Sequence, residues 1–383
     1  MSLRDVFVSE AKRIFSDVAI VLTIIGGVLL YSFLYPQPYA KESVSSLRVS
    51  VVDLDKSDLS RSIIFSLNAT PQVDVVREDL SKRDALDALE RTLVRAVVII
   101  PAHFKRDLAL GVSPTIAVGA DSSYFLIFGS VLEGAMKAVL TEGTKVKVAN
   151  LLKRQVPLSG AKEAYTPYSS TFINLFNPNN SYTQYVIPAV FILILQQTLL
   201  IGLGILGGGV NEQMRKGELG IYREASTLQI IFARVMIFGS IFFVHMLFYF
   251  GFSYENFHIT HIANIEELLF LGVLFLLATL LFGIFLGALF NAREIATPVI
   301  LFSSLPIIFS VGFIWPLEMI PSWIITLSEM LPVVPAIHGF LEMNQMGAHF
   351  VDIREYALIL VAQIVVYGFL GYYYINRNRK KYE

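Results

Sequence analysis

Four aspartates, Asp53, Asp55, Asp58 and Asp121, stand where strand-like runs end, and grouped carboxylates are what a metal site or acid–base chemistry requires. Aspartates in such places also turn and cap the backbone, and that is the role expected of them here. His258 and His261 in NFHITHIAN lie three apart, a spacing that would put both imidazoles on one helical face, but no third ligand or cysteine accompanies them. His245 lies midway along an apolar run, where a hydrogen bond to a neighbouring helix is its expected use. GLGILG at 202–207 has the glycine spacing of a dinucleotide loop. It sits inside an apolar run, so close helix packing through small residues explains it better. G-x-x-x-x-G-K-[ST], H-E-x-x-H and G-x-S-x-G are all missing. No catalytic residue, metal or resident cofactor is therefore assigned, and the chain is not expected to hydrolyse ATP.

What remains is the chemistry of docking. GGGVNEQMRKGELGIYREAS, residues 207–226, packs Glu212, Arg215, Lys216, Glu218, Arg223 and Glu224 between two apolar runs. No charge occurs from Ala164 to Asn211, and apolar sequence resumes at Leu228. Charged residues make up 16% of the chain and mean hydropathy is +0.61. Soluble domains carry roughly 25% charge, so these values indicate a membrane protein. A net charge of -1 gives no electrostatic case for nucleic-acid binding, and the absence of cysteine excludes disulfides and thiolate sites.

A hydrocarbon layer of about 30 Å takes about 20 apolar helical residues to cross. Six stretches qualify, at about 18–35, 182–206, 228–250, 268–290, 295–315 and 356–375. The first lacks a small-x-small cleavage site, so it is read as a retained anchor. Arg4, Lys12 and Arg13 precede span one, Arg215, Lys216 and Arg223 follow span two, Arg293 follows span four, and a basic group follows span six. The opposite connections carry only Arg354. The positive-inside bias therefore predicts cytoplasmic termini, a cytoplasmic 207–227 loop, and an extracytoplasmic block at 36–180 of a cytoplasmic-membrane protein. Leu3, Val6, Phe7, Ala11, Ile14, Phe15 and Val18 recur at helical spacing, as in an amphipathic helix lying on the cytoplasmic interface. A plain extension of span one is the alternative.

Within 36–180, strand-like runs at 47–55, 72–76, 95–101 and PTIAVGADS alternate with helical segments at 59–67, 81–93 (capped by Ser81) and FKRDLALG, closed by Gly111. That alternation predicts an α/β layer with a mixed or largely parallel sheet. A longer helical pattern from Tyr124 to about Lys153 serves either as a stalk or as a cover for the sheet. The fold class expected is thus an α-helical integral membrane protein of six transmembrane helices plus an α/β extracytoplasmic domain.

Three segments resemble the permease subunits of ATP-binding-cassette exporters of the ABC type-2 family. NLFNPNNSYTQYVIPAVFILILQQ (174–197) is similar to that family's asparagine-proline entry into span two. The charged loop is similar to its loop between spans two and three, and VGFIWPLEMIPSWIITLSEMLPVVPAIHGFLEMNQMG (311–347) to its proline-punctuated segment between spans five and six. VVDLDKSDLSRSI and RAVVIIPAHFKRDLALG resemble the large extracytoplasmic domain of one branch. The loop departs from the family pattern in having QMRK before Gly217 and Ala225-Ser226 after it.

The resemblance implies a permease that exports a small amphiphilic or hydrophobic substrate, with ATP and Mg bound by a separate ATPase subunit. It also implies a second permease copy or close paralogue, and a periplasmic membrane-fusion adaptor where an outer membrane exists. Glu212, Arg215, Lys216 and Glu218 would set the docking register of the ATPase, with Gly217 allowing the bend. Gln196, Gln197 and Thr198 in span two and Ser303, Ser304 and Ser310 in span five are candidate lining of the substrate path. Interhelical hydrogen bonding is the alternative for each. Trp315, Pro316, Pro321 and Trp323 open a segment, 316–355, expected to re-enter the outer leaflet as a gate. The competing class is a membrane-anchored ligand-binding or signalling protein that uses only the outward α/β domain.

Overall fold

The computed structural model describes residues 1–39, 45–110, 112–121, 125–153, 176–177, 181–218, 220–312 and 315–382. Gly111, Tyr124 and the Asn-Pro step at Pro178 fall outside the described residues. The chain divides into two compact units, one of residues 1–42 with 174–383 and one of residues 43–173.

The second unit is a four-stranded sheet of β1 (Leu47–Asp53), β2 (Val73–Glu78), β3 (Ala96–Ile100) and β4 (Ala117–Ala120), ordered β2-β1-β3-β4. β1 runs parallel to β2 and β3, and β4 closes the edge antiparallel, so the mixed sheet expected from alternation is present. Period-two side chains make the sheet two-faced. Val49, Val51, Val98 and Ile100 pack under α3 (Asp58–Asn68), α5 (Phe104–Ala109) and α6 (Phe125–Lys153), whereas Val52 and Val97 meet α4 (Lys82–Glu90) through Ala85 and Ala88. α6 buries Val131, Ala135 and Ala138 in this core, so it covers the sheet rather than standing free as a stalk. The aspartates act on the backbone. Asp53 Oδ1 accepts from the amides of Asp55 and Lys56, Asp55 accepts from the amide of Lys105, and Asp58 pairs with the Lys105 ammonium.

The first unit is helical. α1 (Leu3–Ser16) meets α2 (Val18–Leu34) at a 78° bend. Asp17 makes the corner by accepting from the amides of Ala19 and Ile20, two of the orphan donors at the start of α2. α7 (Tyr182–Arg215), α8 (Thr227–Asn256), α9 (Ile265–Leu289), α10 (Ala296–Ser310) and α13 (Arg354–Tyr382) follow, with the pair α11 (Ser322–Ser328) and α12 (Val333–Met346) bent by 93° before α13. Among the described residues, five helices are long and apolar enough to cross a membrane, or up to seven if each bent pair counts as one span. Five of the six stretches expected to span are single long helices, and the first corresponds to α2, which meets α1 at the 78° bend.

α7 runs nine residues past the expected end of span two. The 207–227 loop is therefore shorter than expected: Gly207 to Arg215 are helical, and only 216–226 leaves the helix, with a 3-10 turn at Gly220–Arg223. Good helix formers, EQMR, follow the glycines, and Asn211 anchors that last stretch to its neighbour.

α7 is the central helix, almost wholly buried by the others. Phe191 stacks on Tyr249 of α8 at 4.3 Å, and Tyr249 donates to the Val28 carbonyl of α2 at 2.8 Å. Against α9 the contact is backbone to backbone. A Cβ at Gly207 would lie 2.5 Å from Gly287, and one at Gly283 would lie 2.6 Å from the side chain of Leu203. Small residues here let the helices approach closely, which accounts for GLGILG as packing. Gly209 is different, its nearest neighbour being Arg293 at 4.0 Å. Gly207→Ala is therefore expected to destabilise the unit by about 1–3 kcal/mol through overpacking. Gly209→Ala should be neutral or slightly stabilising. Thermal unfolding of the two purified variants in detergent distinguishes them, and equal midpoints would remove the argument for backbone contact.

Candidate functional site: the polar layer around the 216–226 loop

The charged loop lies among side chains that were not singled out from sequence. α1 presents Val6, Glu10 and Ile14, one residue per turn, to the protein. Val6 packs with Met214, Tyr222, Ala225 and Ile230, and Glu10 meets Arg234 of α8 at 2.8 Å. Both charged side chains are buried, at 0% and 4% exposure. Tyr222 completes a triad: its hydroxyl donates to Glu10, and it accepts from Arg234 Nη2 at 3.3 Å. Burial, and then the Glu10 charge, push the Tyr222 hydroxyl above its usual range, so it remains a donor. Arg13 adds a cation–π contact 5.1 Å from the Tyr222 ring and donates to Gln213 Oε1 at 2.6 Å. One turn of the loop is thereby clamped to α1, α7 and α8.

α1 has a second apolar side. Leu3, Phe7 and Phe15 are exposed, as are the polar Arg4, Asp5 and Lys12. The apolar residues expected on one face are thus divided between buried and exposed, and Glu10 is hidden with the buried ones.

The layer extends to the turn after α9. Asn211 donates to the carbonyls of Gly287, Ala288 and Phe290 at 3.2, 3.1 and 2.8 Å, which satisfies the orphan carbonyls at that helix end. Asn378 of α13 joins it at 3.2 Å, and Arg379 donates to Thr227 at 3.1 Å. Asp17 pairs with Arg293 at 2.9 Å. These contacts tie the ends of α7, α9 and α13 to one another, α13 to the start of α8, and the α1–α2 corner to the turn before α10.

The five expected loop residues divide by environment. Arg215 donates to the Asn291 carbonyl. Lys216 pairs with Glu212 at 2.8 Å across one helical turn, and that partner raises the lysine above its ordinary range. Gly217 takes φ +82°, the left-handed conformation a helix end needs, with nothing within 4 Å of a Cβ there. Glu218, Arg223 and Glu224 are exposed. Glu212 and Lys216 therefore first satisfy each other, and the solvent face of the loop consists of Arg215, Lys216, Glu218, Arg223 and Glu224.

The candidate path residues are placed otherwise. Gln196, Gln197 and Thr198 are buried inside the unit on α7, and Thr198 bonds back to the Ile194 carbonyl at 2.7 Å. Ser303 and Ser310 donate to Ile300 and Ile307 of their own helix, at 2.6 and 3.1 Å, and Ser304 is half-buried. The hydroxyls of Thr198, Ser303 and Ser310 thus bond back to their own helices rather than across to a neighbour. His245 packs edge-on against Phe242 and meets the backbone at Ile24 of α2. Trp315 and Trp323 are exposed, and Pro316 and Pro321 bracket a 3-10 turn at Leu317–Met319 ahead of α11.

Removing one partner of a buried ion pair leaves an uncompensated charge, at a cost of about 3–5 kcal/mol. Arg234→Met is expected to lower unfolding stability by that order, and the double variant Glu10→Met with Arg234→Met to recover most of it. Melting of the detergent-purified single and double variants measures this, and a double variant no better than the single would remove the coupling.

No curated protein matches the chain in sequence. A family model described as ABC-2 family transporter protein matches residues 18–373. That match takes in α2, the α/β unit and the helices through most of α13, and five to seven candidate spans fit a multi-pass membrane protein. With most of its length inside the match, the chain belongs to the ABC-2 transporter family, as a membrane permease component.

Proposed function

We propose that this permease exports a small amphiphilic or hydrophobic substrate, using ATP hydrolysed with Mg on a separate ATPase subunit that docks on the face of the 216–226 loop. ABC-2 permeases normally partner with such a subunit. The observation that carries the reading is the buried Glu10–Tyr222–Arg234 joint. A loop that merely obeyed the charge bias would need no desolvated ion pair at its root. A surface that receives force needs a rigid root and a charged, exposed face, and both are present at 216–226.

In this reading the polar pole with both termini is cytoplasmic, the membrane is the cell (inner) membrane, and the α/β unit is extracytoplasmic. That unit would receive substrate or dock a membrane-fusion adaptor. A second copy or close paralogue would pair along α10, whose Phe302 is 79% exposed, with Leu305 and Phe309 also uncovered. The half-buried Ser303 and Ser304 would then lie beside the passage. Gln196, Gln197 and Thr198 would reach it only if α7 shifts. Trp315, Pro316, Pro321 and Trp323 would form the outer gate with the bent α11–α12 pair.

Reversing Lys216 and Arg223 to glutamate is expected to bring the ATP hydrolysis of the co-purified ATPase down to its rate without permease, at unchanged membrane abundance; undiminished stimulation would count against loop docking. Because the chain has no cysteine, single cysteines placed at Lys216 and at Lys82 can be labelled directly. A membrane-impermeant maleimide should reach them from opposite faces, and labelling from the same face would sink the topology.

A further inference from the structure

A cavity of about 360 Å³ lies where the start of α7, the end of α10 and α12 meet, far from the loop's polar layer in sequence and in partners. Its walls are largely apolar, through Phe176, Val311, Leu317, Leu341 and Met346. The side-chain amides set into those walls are each engaged within the protein. Gln184 uses its amide nitrogen on the His258 carbonyl at 2.5 Å and its oxygen on the Thr260 amide at 2.7 Å. Gln345 donates to the Gln184 carbonyl, and Asn177 uses both ends on Ser181. His338 approaches the Val311 carbonyl through Nε2 at 2.5 Å, which requires the proton on that nitrogen and leaves Nδ1 an acceptor in the neutral ring.

Glu342, one helical turn after His338, lines the same cavity. One carboxylate oxygen accepts from the Tyr356 hydroxyl at 2.9 Å, a neutral partner. No lysine or arginine lines the cavity among the described residues. A half-buried carboxylate whose hydrogen bond comes from a neutral hydroxyl, and which has no ion pair among the described residues, favours a positively charged donor.

We propose that this cavity binds a protonated amine carried on an apolar body, with the ammonium on Glu342 and the body against Phe176, Leu317 and Leu341. It thereby narrows the substrate or gate ligand of the exporter to cationic amphiphiles, a step that rests on the permease reading. Binding itself does not require the ATPase, so the test below is independent of transport.

The chain has two tryptophans, Trp315 and Trp323, and both lie within six residues of Leu317 in the cavity wall. Dansylcadaverine, a primary ammonium on a naphthyl body, should therefore quench them by energy transfer when it binds the purified full chain in nanodiscs. Its N-acetylated, neutral form should bind at least about tenfold more weakly, as the loss of a charge-assisted hydrogen bond implies. Glu342→Gln should weaken the ammonium probe by a similar factor while leaving the neutral probe unchanged, and Glu342→Asp should retain most of the affinity. His338→Lys, which supplies an internal ammonium one turn away, should also weaken the ammonium probe. Equal affinity for the two probes, undiminished binding by Glu342→Gln, or no saturable transfer overturns the proposal. Undiminished ATPase stimulation by the Lys216 and Arg223 reversal, with amine binding intact, would instead count against loop docking alone.

Discussion

Two charges taken out of water at the foot of the helix bundle set the terms for the rest of this protein. Desolvating Glu10 and Arg234 costs several kcal/mol per ion, and their 2.8 Å contact offsets this only because Tyr222 satisfies the carboxylate as well. Such a pair tolerates little displacement: moving α1 away from α8 by an ångström or two would leave both ions unmatched. The joint therefore makes α1, the loop at Gly220–Arg223 and the root of α8 move together. A hydrophobic contact, being non-directional, would have let them slide.

The same economy of freedom governs the neighbouring helices. Asn211 satisfies three carbonyls at the end of α9, so α7 and α9 end as one element rather than as two fraying termini. Gly207 against Gly287 removes the side-chain cushion that ordinarily lets helices adjust. α1 differs in having one face on protein and another, with Leu3, Phe7 and Phe15, exposed. The protein-facing side ties the joint to the loop, and the exposed apolar side is left for another surface.

Much of this was legible in the sequence for simple reasons. Spans declare themselves by length and apolarity, and the α/β unit by strands such as RAVVIIP alternating with capped helices like the one behind Ser81. The loop's charge was plain, but its extent was not, because nothing in GGGVNEQMR marks a helix end before Gly217. The buried triad was overlooked although both halves left a trace. Arg234 is a lone cation inside TLQIIFARVMIFGS, which is costly unless paired. Glu10 falls four residues from both Val6 and Ile14, on their face rather than with Arg4 and Lys12. Reading those two together would have found the pair. The buried position of Gln196, Gln197 and Thr198 could not be read in this way, since a helix that is apolar all round gives no indication of which side faces its neighbours.

The Gly207–Gly287 contact has a mechanical consequence. Two backbones that already touch cannot be pressed closer, so any tilt of α7 against α9 would have to turn about the point where they meet and carry the Asn211 anchor with it. From there to Lys216 is nine residues and to Tyr182 twenty-five, arms of about 13 Å and about 38 Å at 1.5 Å per residue. A small stroke delivered at the short arm arrives at the other end magnified about threefold, as far as α7 stays stiff through Pro188.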